Sequence, residues 1–126
     1  AYEITRCLEF RRVLFRSPSL RIVLGELLRN AAAATKHRGR IEITAWSTDT
    51  DHGIDVSDDG PGIERERREE IWMPFQHALH GGVGIGLAMC RKILAAHQGE
   101  LLLMPATRRG ARFRIRFARS LAAGHG

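Results

Sequence analysis

The chain has 126 residues, 44% of them apolar, which suits one domain with a single modest core. No apolar run approaches the roughly 20 residues that span a bilayer, and no long apolar stretch marks a secretion signal, so the reading is of a soluble, cytoplasmic unit without membrane contact. The net charge of +6 would raise nucleic acid as a partner, but +2 of it falls in residues 1–17, where Arg6, Arg11, Arg12 and Arg16 outnumber Glu3 and Glu9.

That first stretch is itself anomalous. Glu9 to Ser17, EFRRVLFRS, resembles a translated cloning junction more than a segment selected for folding, although Leu8, Val13, Leu14 and Phe15 could also share part of a helix face. The expected organisation is a doubtful segment at 1–17, a domain at 18–118 and a fraying tail at 119–126, the whole being a C-terminal fragment of a longer protein.

From Ser19 the apolar positions Ile22, Val23, Leu27, Leu28, Ala31 and Ala34 fall near helical spacing, which predicts a helix from about Leu20 to Ala34 with Ser19 as its cap. Ile41, Ile43 and Ala45 alternate with Glu42, Thr44 and Trp46, and Ile54 and Val56 resume the alternation after Ser47 to Gly53, predicting two antiparallel strands. SDDGPGIE breaks the pattern, and Arg65 to Ile71 forms a short charged helix that Pro74 must end. Gly81 to Gly86 is a glycine-rich loop opening into Leu87, Ala88, Ile93, Leu94 and Ala95, one side of a helix that stops before Gly99. Leu101 to Met104 and then Phe113, Ile115 and Phe117 read as two further strands. The order implies an α+β sandwich, a mixed sheet with helices on one face.

Two familiar phosphate motifs fail on inspection. Gly81 to Gly86 has P-loop spacing, but Leu87 and Ala88 stand where Lys and Ser or Thr are required. A dinucleotide fingerprint from Gly82 or Gly84 would need glycine at Leu87 or Met89 and a preceding βαβ strand. What remains is Gly82, Gly84 and Gly86 immediately before a helix, where bare backbone N–H groups and the macrodipole favour an anion.

Three other segments supply what a nucleotide site needs. Glu26 and Asn30 are one helical turn apart, the amide oxygen suited to Mg²⁺ and the carboxylate to orienting or deprotonating a nucleophile. Asp58 ends a strand, where its carboxylate can accept a bond from an exocyclic amine, and Gly60 and Gly62 keep side chains out of the way. Each alone also has a plain account, as a solvated helix face or an acidic turn.

Together the segments resemble the GHKL ATPases, and among them the catalytic and ATP-binding domain of sensor histidine kinases. ELLRNA at Glu26 to Ala31 is similar to the N box, DDGPGI at Asp58 to Ile63 to the G1 box and IWMPF at Ile71 to Phe75 to the F box. GGVGIGLAMCRKIL at Gly81 to Leu94 is similar to the G2 box, and GARFRIRF at Gly110 to Phe117 to the last strand. The resemblance implies the Bergerat fold with Mg-ATP as ligand. It implies that Asn30 ligates magnesium, Asp58 reads the adenine amine, Gly60 and Gly62 shape the adenine pocket, and Gly82, Gly84, Gly86 and the Leu87 N–H serve the phosphates. Glu26 takes the place where hydrolysing members carry a catalytic base. The implied partners are a dimerisation and histidine-phosphotransfer domain and, indirectly, a response regulator.

Departures from the pattern matter too. Ala33 stands where a phosphate-contacting Lys or Arg is common, Ala111 where Thr or Ser is common, and only Gln76 to His80 separate the F box from Gly81. The domain's usual first strands have no counterpart before Leu20, and none of the six histidines has the acidic helical setting of a phosphoacceptor. The alternatives are a GHKL serine kinase, a hydrolase in which Glu26 activates water, and a nucleic-acid module using Arg112, Arg114 and Arg116 on one strand face.

Overall fold

The computed structural model describes residues 17–36, 38–73, 86–105 and 109–119. Helix α1 spans Pro18–Ala34. Its cap is Ser17 rather than Ser19: the Ser17 hydroxyl accepts the Leu20 N–H at 3.3 Å, and Pro18 follows at the first helical position, where no N–H is needed. Leu20, Val23, Leu27 and Ala31 bury one stripe at three- and four-residue spacing. Thr35 ends the helix by donating its hydroxyl to the Ala31 and Ala32 carbonyls at 3.1 and 3.0 Å, and Lys36 then turns the chain at φ 55°.

Strands β1 (Ile41–Ser47) and β2 (Asp51–Asp58) form a hairpin, so that Asp51 to Gly53 are strand rather than loop. The charged segment that follows makes two separate 3₁₀ turns, Arg65–Arg67 and Glu70–Trp72, instead of one helix. Seven residues before a proline are too few to repay helix nucleation, and only Ile71 of the two turns is buried. Helix α2 runs from Gly86 to Ala96, and β3 (Gly99–Met104) and β4 (Arg112–Ala118) complete the sheet.

The strand order is β1-β2-β4-β3, and every pairing among the described residues is antiparallel. The α+β layering agrees with the sequence, whereas the mixed sheet does not. The α2 crossover brings β3 back in the direction of β2, but β4 inserts between them and pairs antiparallel with both. Register places Val56 beside Phe113 and Ile54 beside Ile115, which in turn faces Leu101. These residues pack with Leu20, Val23, Leu27, Leu87, Cys90 and Leu94 of the two helices to make the core. β1 lies at one edge of the sheet, where Ile41 packs on the core but Ile43 is 53% exposed although its partner Val56 is buried. Among the described residues no helix is long and apolar enough to cross a membrane.

Candidate functional site

The site is built on the end of β2. Asp58 Oδ1 accepts the Gly60 N–H at 2.8 Å and the Ala111 N–H at 3.4 Å, and the Asp58 N–H donates to the Ala111 carbonyl at 2.9 Å. The second carboxylate oxygen, Oδ2, has no protein hydrogen-bond partner among the described residues and is not sealed from solvent. One oxygen therefore fastens the turn while the other is free to accept.

Two glycines are demanded by this turn. Gly110 has φ 109°, and a side-chain carbon there would come within 1.7 Å of the Asp58 carbonyl oxygen. At Gly60 the added carbon would meet the Ala34 carbonyl oxygen at 2.9 Å, so the backbone of the turn lies directly on the end of α1. Asp59 continues the same bracing: its carboxylate accepts the Arg40 N–H at 2.8 Å and ties the turn to the start of β1.

A small cavity gathers Asn30, Asp58, Gly62, Leu87 and Ala111 among apolar walls that include Leu27, Val56 and Phe113. Four of the sequence-predicted residues, from three separated segments, thus meet at one place. Gly60 supports it from behind, and Gly86, at φ 81°, opens α2 one residue before Leu87. Gly82 and Gly84 lie outside the described residues. The cavity measures about 20 Å³, room for about one water.

Asn30 is half-buried, and its side-chain amide makes no hydrogen bond to a protein group among the described residues, which leaves its oxygen free for a hard cation. Glu26 behaves differently. It is 4% exposed, accepts a bond from Arg29 at 3.0 Å, and lies in the seam between α1 and α2, where its charge acts on the buried Cys90 thiol. Asn30 lines the cavity and Glu26 does not.

A larger groove of about 500 Å³ occupies the other side of the sheet, between Arg40, Glu42, Ser57, Arg109 and Arg112. It contains only Asp58 of the predicted site residues, so size alone misdirects, and the smaller cavity is the candidate site. The sequence also gave no sign of how that outer face is organised. Asp55, buried at 2% exposure, accepts bonds from Arg112, from Arg114 Nε at 2.8 Å and from the Trp46 indole at 3.0 Å. Burial alone would raise its pKa, but the hydrogen bonds and charges of Arg114 and Arg112 outweigh that and hold the carboxyl below its ordinary value. Arg116 reaches Asp51 and Glu100. The arginine stripe therefore faces its own carboxylates.

A helix layer over an antiparallel sheet, with a cavity where a strand end meets two helices, defines an α+β sandwich whose candidate site lies between sheet and helices. Residues 16–121 match the model of the histidine kinase-, DNA gyrase B-, and HSP90-like ATPases, and the chain belongs to this family. It is 35% identical over 97 residues to the signal transduction histidine-protein kinase AtoS of Escherichia coli (strain K12), a match covering 76% of this chain and 16% of that protein. It is 40% identical over 98 residues to the two-component sensor PhoQ of Pseudomonas aeruginosa, covering 76% of this chain and 21% of that one. The nucleotide-free catalytic domain of histidine kinase ThkA superposes with a TM-score of 0.70 at 32% identity, over 79% of this chain and 66% of that one. The chain spans under a quarter of the length of either curated relative, and the matched region is the catalytic, ATP-binding part of sensor histidine kinases.

Proposed function

We propose that this domain binds Mg-ATP and donates the γ-phosphoryl group to a histidine on a separate dimerisation domain. The observation that carries this reading is the convergence of Asn30, Asp58, Gly62 and Leu87 on one cavity. Asp58 Oδ2 accepts from the adenine amine, Gly62 leaves backbone against the ring, and the Leu87 N–H at the first turn of α2 serves the phosphates. Asn30 would hold Mg²⁺, its unpartnered amide oxygen fitting a cation that takes few protein ligands and shares the rest with phosphate and water. The ion supplies charge neutralisation on the transferred group, while the chain's own residues bind and orient the nucleotide. Gly82 and Gly84 keep their expected part in the phosphate loop.

A structure of full-length ShkA in complex with AMPPNP, 30% identical to this chain, supports a nucleotide in this fold. One of ThkA with the response regulator TrrA supports a response regulator as the indirect partner. The parent protein is accordingly read as a two-component sensor that presents this domain to the cytoplasm. A hydrolase using Glu26 as base has less support, because that carboxylate pairs with Arg29 outside the cavity wall. A nucleic-acid module has less support too, because the arginine stripe is occupied by Asp55, Asp51 and Glu100.

The test is transfer from radiolabelled ATP to a separately supplied dimerisation and phosphoacceptor domain, with magnesium and with EDTA. Magnesium-dependent labelling of that domain's histidine supports the proposal. Labelling of serine, or release of phosphate without labelling, overturns it.

A further inference from the structure

Trp72 closes the second 3₁₀ turn, and its indole meets Phe113 edge-on, with ring centroids 6.1 Å apart and planes at 86°. Phe113 is part of the cavity wall. The guanidinium carbon of Arg91 lies 3.4 Å from the centroid of the Trp72 ring. Arg91 stands one turn beyond Leu87 in α2, and its Nε donates to the Leu101 carbonyl of β3 at 3.2 Å. Leu87 is also a cavity-wall residue. A single side chain therefore joins the 3₁₀ turn, α2 and β3, and it stands behind two different parts of the cavity wall. A planar guanidinium can lie on an indole and donate from its rim at the same time, which an ammonium cannot do.

We propose that Arg91 is a positioning residue for the nucleotide cavity, its clasp on Trp72 and Leu101 fixing how the Phe113 wall and the first turn of α2 stand to one another. This rests on the ATP-binding reading above and assigns Arg91 no contact with the nucleotide. An arginine that only packed the surface would change thermal stability and leave nucleotide affinity as it was.

The experiment uses the full chain with Arg91→Lys, Trp72→Phe and the double variant. AMPPNP with magnesium is titrated by calorimetry, thermal midpoints are recorded, and amide hydrogen exchange at Leu87 and Phe113 is followed without nucleotide. Each single variant is expected to weaken AMPPNP binding about tenfold and to speed exchange at both amides, and the double variant to lose no more than either single. Thermal midpoints should fall by only a few degrees, since the core beneath is unchanged. Wild-type affinity and exchange in Arg91→Lys would overturn the proposal, and so would additive losses in the double variant, which make the two residues independent. If the wild-type chain does not bind AMPPNP, the nucleotide reading fails, and exchange at Leu87 and Phe113 alone decides whether Arg91 holds these walls.

Discussion

Asp58 Oδ1 accepts the Gly60 N–H at 2.8 Å, so the carboxylate that closes the turn belongs to a residue that also lines the cavity. Asp58→Asn can keep the first bond through its amide oxygen, but it then presents an NH₂ where an acceptor is needed. Because a mismatched polar contact costs about 1–3 kcal/mol, ATP-analogue affinity should fall by roughly fivefold to 150-fold while the thermal midpoint changes little. Calorimetric titration beside a melting curve separates the two, and an unchanged dissociation constant would remove Asp58 from the site.

Gly110 lies under that same turn, and a methyl group there would overlap the Asp58 carbonyl while φ stays at 109°. Gly110→Ala must move either β4 or the turn, and a cost of about 2 kcal/mol or more is expected from the strain and the lost contacts. Nucleotide affinity should fall with stability in this variant, unlike in Asp58→Asn. Urea unfolding measures the first effect, and a midpoint equal to wild type would contradict the contact.

The residues that were readable from sequence are those whose role depends on local order. Alternation and helical spacing located α1, the hairpin, α2 and the last strands, and the turn chemistry around Asp58 and Gly62 marked the cavity. What depended on register was hidden. Nothing in the run from Ile54 to Val56 says that Asp55 will stand opposite Arg114, or that β4 will insert between β2 and β3 and remove the parallel pairing. Glu26 was legible as a polar residue on α1, but its burial comes from the packing of α2, which a single helix cannot reveal. The first phosphate-loop glycines, Gly82 and Gly84, fall outside the described residues.

Asp55 gives the outer face an acid dependence. Its carboxyl titrates below the ordinary 3.8 in the folded chain, so the stability it contributes is present above that pH and is lost as pH falls through the lower native value. Asp55→Ala leaves Arg112 and Arg114 without their shared partner and should cost about 3 kcal/mol, the low end for a buried pair because both arginines reach solvent. Asp55→Asn should flatten the acid limb of stability against pH. Parallel limbs in wild type and Asp55→Asn would show that the network does not set it.

Glu26→Gln distinguishes a group in the helix seam from a base at the cavity. The amide can still accept from Arg29, so the seam should persist, and phosphoryl transfer to a supplied phosphoacceptor domain should stay within about threefold of wild type, against the 100-fold or greater loss typical of a missing general base. Rapid-quench transfer rates at saturating ATP make the comparison, and a loss of that larger size would return Glu26 to the chemistry.

Across the same seam Cys90 is fully buried, and burial first, with the nearby Glu26 charge second, pushes its thiol from 9.0 up to about 12. The folded chain keeps this thiol neutral where the unfolded chain ionises, so the unfolded state binds fewer protons between those two pH values. Stability should therefore be complete below pH 9 and decline above it, by at most about 1.4 kcal/mol per pH unit from this group. Other groups also contribute to the alkaline limb, so the decisive quantity is the difference between wild type and Cys90→Val, both in a background where the chain's second cysteine, Cys7, is replaced by serine. The variant's free energy of unfolding should fall less steeply from pH 9 upward, and a thiol reagent should reach Cys90 of the parent chain only as fast as the core opens. Identical alkaline slopes would mean that the thiol already has access to water in the native state.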